Sequence, residues 1–179
     1  MTQTANVYAQ ALYGLAKDEG IAKDVMDQMC ALNTSFEEEP DFLRLLSDHS
    51  IVKEDRIRIL DDCFREKVQP YLLNFLKLLT EKGYIRKFPD CFKEYRALYY
   101  DDNGILPVHV ATASTMTDAQ KQKLTDKLAQ VTGKTVLLDC TVDPELIGGV
   151  RLDYDGKRID GTLQSRLDSV RSLLKSTLL

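Results

Sequence analysis

No two cysteines stand close together. Cys30, Cys63, Cys91 and Cys140 are spread along 179 residues, so sequence neighbours cannot build a metal knuckle or a redox dithiol. They read as small buried hydrophobes, which implies a reducing compartment. Also absent is any run approaching the roughly 18 apolar residues of a membrane span, so no direct membrane insertion is expected. The N-terminus lacks a basic patch followed by an apolar block. Its first basic residue is Lys17 and its first arginine is Arg44, which points to a bacterial cytosolic protein or an already processed one. There is no excess of positive charge: the net charge is −4 and the pI is near 5.3. A nucleic-acid binder would need a basic stripe to displace phosphate counterions, so nucleic acid is not an expected partner.

Catalytic signatures are missing too. Gly133-Lys134-Thr135 resembles the tail of a phosphate-binding loop, but Leu128 stands where the motif needs glycine, and a helix precedes the loop where a strand should. No serine sits in a nucleophile elbow, and neither His49 nor His109 has a neighbour at ligand spacing. His49 reads as a loop residue and His109 as structural. Carboxylates are plentiful, but nothing in the sequence pairs two of them as acid and base. We therefore expect no enzyme active site, no cofactor and no metal.

What the chain does have is apolar content, 44%, enough for a real core. Its first part is helical in period. Residues 4–19 read as a helix capped by Thr4 and stopped at Gly20; Val7, Tyr8, Ala11, Leu12, Leu15 and Ala16 form one face, and Ala5, Ala9 and Tyr13 widen it. A second helix over 21–38 ends at the solvated acidic triplet Glu37-Glu38-Glu39 before Pro40. A short helix over 41–46, a helix capped by Ser50, and one entered through Pro70 and ended by Gly83 follow. A last helix spans 88–100, and Asp101-Asp102-Asn103-Gly104 breaks the pattern. The expected architecture is thus α+β but mostly α. An N-terminal bundle of about six helices over 1–104 leads to a small mixed α/β domain over 105–179. The first and fifth helices carry more apolar surface than one neighbour covers. Either both lie at the centre of the bundle, or a groove between them accepts a partner's amphipathic helix.

In the second part, 105–113 alternates like a strand, Thr117 or Asp118 caps a helix ended by Gly133, and 134–141 reads as a second strand. Asp143-Pro144-Glu145-Leu146-Ile147-Gly148-Gly149-Val150-Arg151-Leu152 reads as a turn and a third strand holding two adjacent glycines. Glycines inside a strand are costly. A bulge, a close helix-to-strand contact or the approach of a partner's backbone would each explain them. Asp155-Gly156 signals a two-residue hairpin returning through Ile159, and Asp160 caps a closing helix with Leu163, Leu167, Val170, Leu173, Leu174 and Leu178. The charge divides mildly, 14 basic minus 19 acidic residues (−5) up to Gly104 and 10 minus 9 (+1) after it.

In this order and spacing, three stretches resemble the delta subunit family of bacterial F-type ATP synthases, the counterpart of the mitochondrial oligomycin-sensitivity-conferring protein. They are 143–152 followed by Ile159-Asp160-Gly161-Thr162-Leu163, the pattern Tyr8-Ala9-Gln10-Ala11-Leu12, and the helix end Leu78-Leu79-Thr80-Glu81-Lys82-Gly83-Tyr84. The most specific residues are Asp143, Pro144, Leu146, Ile147, Gly148, Gly149, Asp160 and Gly161. Where family members often carry a basic residue before the first tyrosine, this chain has Asn6-Val7. The resemblance implies a non-catalytic peripheral-stalk subunit on the cytoplasmic face of a bacterial membrane. It implies that the N-terminal segment of an alpha subunit is gripped between the first and fifth helices, with Tyr8, Ala11, Leu12 and Leu15 facing Leu72, Phe75, Leu78 and Leu79. It implies further that the C-terminal part meets the C-terminal ends of the b subunits, with other head subunits nearby. The competing reading is a freestanding helical-bundle module with regulatory or RNA-associated duties, which the −5 balance of the helical part disfavours.

Overall fold

The structure is a computed structural model; it describes residues 3–48, 50–165 and 167. It is mostly helical, with a small mixed four-stranded sheet. By its internal contacts the chain divides into two units, Met1–Tyr99 and Tyr100–Leu179.

The first unit holds α1 (Gln3–Asp18), α2 (Ala22–Glu38), α3 (Pro40–Ser47), α4 (Lys53–Phe64), α5 (Pro70–Glu81), a 3₁₀ turn (Ile85–Lys87) and most of α6 (Phe88–Asp102). Helix α1 packs on α2 and α5, α2 on α3, and α4 on α5. Its joints follow local chemistry. Gly20 takes φ +71°, and the Ile21 amide donates to the Ala16 carbonyl at 2.9 Å, a six-to-one closure that satisfies an orphan carbonyl of α1. Gly83, at φ +72°, ends α5 in the same way, with the Tyr84 amide donating to Leu79 O at 2.7 Å. Prolines open α3 and α5, where a missing amide costs no hydrogen bond. Two caps differ from expectation. Thr4 lies inside the first turn of α1, and α4 begins at Lys53, beyond Ser50, because the Ser50 amide donates to Asp48 Oδ1 at 2.8 Å and holds the chain in a turn. His49 lies outside the described residues.

The core of this unit is aliphatic and aromatic. Val25, Met29, Leu46, Leu60, Leu72, Leu76, Leu79, Ile85, Phe88 and Tyr95 are fully buried, each contributing about 1.5–3 kcal/mol of transfer free energy. Tyr95 shows how a polar tip is accommodated: its ring meets Tyr13 edge-on at 5.3 Å and its hydroxyl donates to Ala22 O at 3.0 Å. Burial pushes that hydroxyl's pKa well up, and it pushes the Cys91 thiol up to about 11. Cys91 alone of the four cysteines is buried. Cys63 is half-buried, and Cys30 and Cys140 are exposed, so the expectation of four buried thiols holds for one.

In the second unit β1 (Ile105–Thr112) lies between β2 (Thr135–Val142), parallel to it, and β3 (Val150–Tyr154), antiparallel; β4 (Lys157–Asp160) pairs with β3. The parallel pair needs a crossover, supplied by α7 (Asp118–Thr132). Thr117 opens α7 with a complete capping box to Gln120, and Gly133 closes it at φ +68°. Leu106, Val108 and Val110 alternate inward from β1 and meet Leu128 of α7 and Leu152 of β3. Asp155 and Gly156, at φ +48° and +69°, form the tight hairpin turn between β3 and β4. Thr162, rather than Asp160, caps the helical turn at 163–165: its hydroxyl accepts from the Ser165 amide at 3.3 Å, while Asp160 Oδ1 accepts from the Thr162 amide at 2.9 Å. Val170, Leu173, Leu174 and Leu178 of the expected closing helix lie outside the described residues.

Candidate functional site

Helices α1 and α5 run side by side in opposite directions. Tyr8, early in α1, meets Tyr84 just past the end of α5 with ring centroids 6.2 Å apart. At the other end, Glu19 beyond α1 accepts a hydrogen bond from Tyr71 at the start of α5; its carboxylate charge and that bond hold the Tyr71 hydroxyl above its usual range.

Each helix has two apolar faces. From α1, Ala5, Ala9, Leu12, Tyr13 and Ala16 are buried, whereas Val7 (61% exposed), Ala11 and Leu15 (52%) recur every fourth residue on the open side. From α5, Leu72, Phe75, Leu76 and Leu79 are buried, whereas Tyr71 and Leu78, each 38% exposed, lie two turns apart on one side. The antiparallel arrangement brings Leu15 to the end where Tyr71 stands and Val7 towards the end where Leu78 stands. Small Ala11 lies midway. These exposed side chains supply an apolar strip along the two helices, with a small residue at its middle.

The sequence-derived site residues therefore divide. Ala11, Leu15 and Leu78 lie on the open strip and Tyr8 is half-buried beside it; Leu12, Leu72, Phe75 and Leu79 belong to the core beneath. Val7 and Tyr71 are additional members of the strip. Their signal was the four- and seven-residue spacing to Ala11, Leu15 and Leu78, but spacing alone does not say which of two apolar faces turns outward.

The motif around Gly148 and Gly149 is built differently. Strand β3 starts at Val150, so the glycines precede the strand instead of sitting inside it. Gly149 takes φ +93°, and a Cβ on it would stand 2.5 Å from Gly161 O and 2.7 Å from Thr162 Cα. A Cβ on Gly148 would stand 2.9 Å from Leu163 Cδ1. The chain's own segment 161–163 crosses directly over the pair, and two backbone bonds lock the crossing: Gly161 N to Val150 O at 2.9 Å and Leu163 N to Gly148 O at 3.0 Å. Asp143 shapes the approach, accepting from the Glu145 amide at 3.1 Å and from Arg151 at 3.3 Å. Leu146 is half-buried, while Pro144 and Ile147 face outward. Asp160, exposed, is held below the usual carboxylate range by its bonds to the Thr162 hydroxyl and amide. These residues form a backbone crossing.

On the sheet, His109 is not isolated. Its Nδ1 lies 3.2 Å from Asp139 and its Nε2 3.3 Å from the Thr141 hydroxyl, in an exposed polar row that also holds the ion pair of Asp153 with Arg158 at 2.6 Å. That bond to Arg158 lowers the Asp153 pKa. Among the described residues no group of three His, Cys, Asp or Glu side chains is arranged to hold a metal, and no helix is long and apolar enough to cross a membrane.

Comparison with known proteins identifies the family. The chain is 30% identical to ATP synthase subunit delta of Moorella thermoacetica over 171 residues, 96% of each chain. It is 31% identical to ATP synthase subunit delta of Synechocystis, covering 94% of this chain and 92% of that one. Among solved structures, the fold is similar to a chain of the Toxoplasma gondii mitochondrial ATP synthase hexamer, with a TM-score of 0.76 at 19% identity, over 97% of this chain and 98% of the other. The family model described as ATP synthase delta (OSCP) subunit matches residues 4–174. With that match spanning nearly the whole length, the chain belongs to the ATP synthase delta (OSCP) subunit family.

Proposed function

We infer that the chain serves as a non-catalytic peripheral-stalk subunit of a rotary F-type ATP synthase, at the cytoplasmic face of a bacterial membrane. It ties the catalytic head to the stalk and so supports ATP synthesis coupled to proton flow. Residues 1–104 act as a six-helix bundle that holds the N-terminal helix of an alpha subunit. Residues 105–179 act as a small α/β domain that meets the C-terminal ends of the b subunits.

The observation that carries this reading is the open strip of Val7, Ala11, Leu15, Tyr71 and Leu78 between antiparallel α1 and α5. An amphipathic helix docks by laying apolar residues into such a lining, with anchors spaced by three, four and seven residues. The buried residues Leu12, Leu72, Phe75 and Leu79 form a firm floor, so little side-chain ordering remains to oppose binding. Wide apolar contact with slow dissociation suits a joint that resists torque better than a few screened charges do.

The test is hydrogen exchange on the full chain with a synthetic peptide of the alpha-subunit N-terminus. Protection concentrated on α1 and α5 is expected. Binding that protects α3 and α4 instead, or no binding, would overturn the assignment.

A further inference from the structure

A second apolar depression lies away from the strip. Helices α2, α3 and α4 border an open hollow of about 470 Å³, walled by Phe36, Phe42, Leu45, Cys63 and Phe64. Phe42 joins its walls, stacking on Phe36 at 5.9 Å and meeting Phe64 edge-on at 5.9 Å. The volume is that of a small-ligand site, but such sites carry several converging polar groups that orient a soluble ligand. This lining is apolar apart from its rim, the Cys63 thiol and Ser35, whose hydroxyl is already bonded to Ala31 O at 3.0 Å.

The rim is acidic. Glu39 and Asp41 line the hollow, and no lysine or arginine does; Arg44 reaches Asp41 at 2.8 Å from outside the lining. Glu37 and Glu38 complete the last turn of α2, which contains no basic residue. A helix C-terminus already carries partial negative charge, so three successive glutamates there repel it and one another. Glu37 is partly accommodated by a 2.7 Å hydrogen bond from Asn33; Glu38 and Glu39 stand exposed. A cation brought to this edge would relieve the repulsion, and the faces of Phe42 and Phe64 would favour it further.

We propose that the hollow between α2, α3 and α4 is a second docking surface, which receives an amphipathic helix of a partner protein through a bulky apolar anchor flanked by lysine or arginine. The anchor enters the aromatic wall, and the flanking cations meet Glu38 and Glu39. The site is separate from the α1–α5 strip and uses a charge match that the strip does not need.

Cys63, half-buried in the wall, makes the proposal directly readable. The probe is a labelled synthetic amphipathic peptide of leucine, phenylalanine and lysine, with a counterpart bearing glutamate in place of lysine, each added to the full chain. The basic peptide is expected to slow alkylation of Cys63 about tenfold while leaving exposed Cys140 unchanged. Leu45→Asp and the double reversal Glu38→Lys/Glu39→Lys should each weaken binding about tenfold at low salt. The double reversal also places lysines where a helix end favours them, so unfolding does not explain a loss. Failure of the basic peptide to bind, binding without protection of Cys63, or equal affinity for the acidic peptide would overturn the proposal. So would a dimer in sedimentation equilibrium that protects Cys63 without peptide, which would assign the hollow to a second copy of the chain.

Discussion

The helical unit and the sheet unit spend their most distinctive residues in opposite ways. In the helical unit, α1 and α5 carry more apolar side chains than the core can take, and the surplus at Val7, Leu15 and Leu78 faces solvent. In the sheet unit, Gly148, Gly149 and Gly161 are used internally, where segment 161–163 crosses the start of β3: Gly149 has no room for a Cβ, and at Gly148 and Gly161 a Cβ would meet Leu163 Cδ1 at 2.9 Å and Val150 O at 3.1 Å. Surplus apolar surface is a cost to an isolated chain and becomes useful only against a partner. A glycine crossing is useful to the chain alone. The family signature is therefore most legible where it shapes the backbone, whereas the proposed contact surface rests on side chains whose exposure emerges only from which face turns outward.

Substitutions can break or sharpen this contrast. Gly149→Ala should have the largest effect. It forces a side chain into positive φ and against backbone 2.5 Å away, at a cost of about 3–4 kcal/mol, measurable as early urea unfolding of the sheet unit by hydrogen exchange. Stability within about 0.5 kcal/mol of the parent would show that the crossing is loose. Next, Leu79→Ala and Leu78→Ala compare adjacent residues of α5. The buried Leu79 should lose about 2–4 kcal/mol and the half-open Leu78 less than about 1, read by thermal unfolding. Equal losses would mean that the strip is part of the core.

A smaller effect is expected from Gly156→Ala. Its φ of +69° disfavours alanine although the space is open, so about 1 kcal/mol should be lost by chemical denaturation. The smallest is a pH effect. Asp153 and Asp160 have depressed pKa values, through bonds from Arg158 and Thr162 respectively, so both stabilise the fold above the ordinary carboxylate pKa of 3.8. That contribution is lost as pH falls below 3.8 through the folded-state values. It should appear as faster exchange at the β3–β4 hairpin in acid, abolished by Asp153→Asn/Asp160→Asn.

Much of this was legible in the amino-acid order where local chemistry decides. The Asp155-Gly156 turn, the Thr117 cap, Pro70 at the start of α5 and Gly83 at its end depend on a few neighbouring residues, and they stand where those residues put them. The misreadings came where distant contacts decide. Gly148 and Gly149 read as strand residues because Leu146, Ile147, Val150 and Leu152 flank them, and nothing local announces that 161–163 passes overhead. Thr162 takes over the capping role of Asp160 because Asp160 is still paired in β4. In α1 nearly every position of the apolar set is compatible with two faces, and only packing on α2 and α5 makes Ala5, Ala9, Leu12 and Ala16 the buried one. The hollow of Phe36, Phe42 and Phe64 draws on three helices and leaves no sequence pattern at all.

The central claim is that the exposed strip, and not the core beneath it, holds the alpha subunit. Calorimetric titration of the full chain with the alpha N-terminal peptide, comparing the parent with Ala11→Asp, tests it most directly. Ala11 is exposed, so the variant should keep its circular dichroism and lose only the helix-propensity difference between alanine and aspartate, about 1 kcal/mol or less. A charge in the middle of an apolar seam should weaken binding by about a hundredfold or more. Unchanged affinity in a folded Ala11→Asp protein would contradict the account.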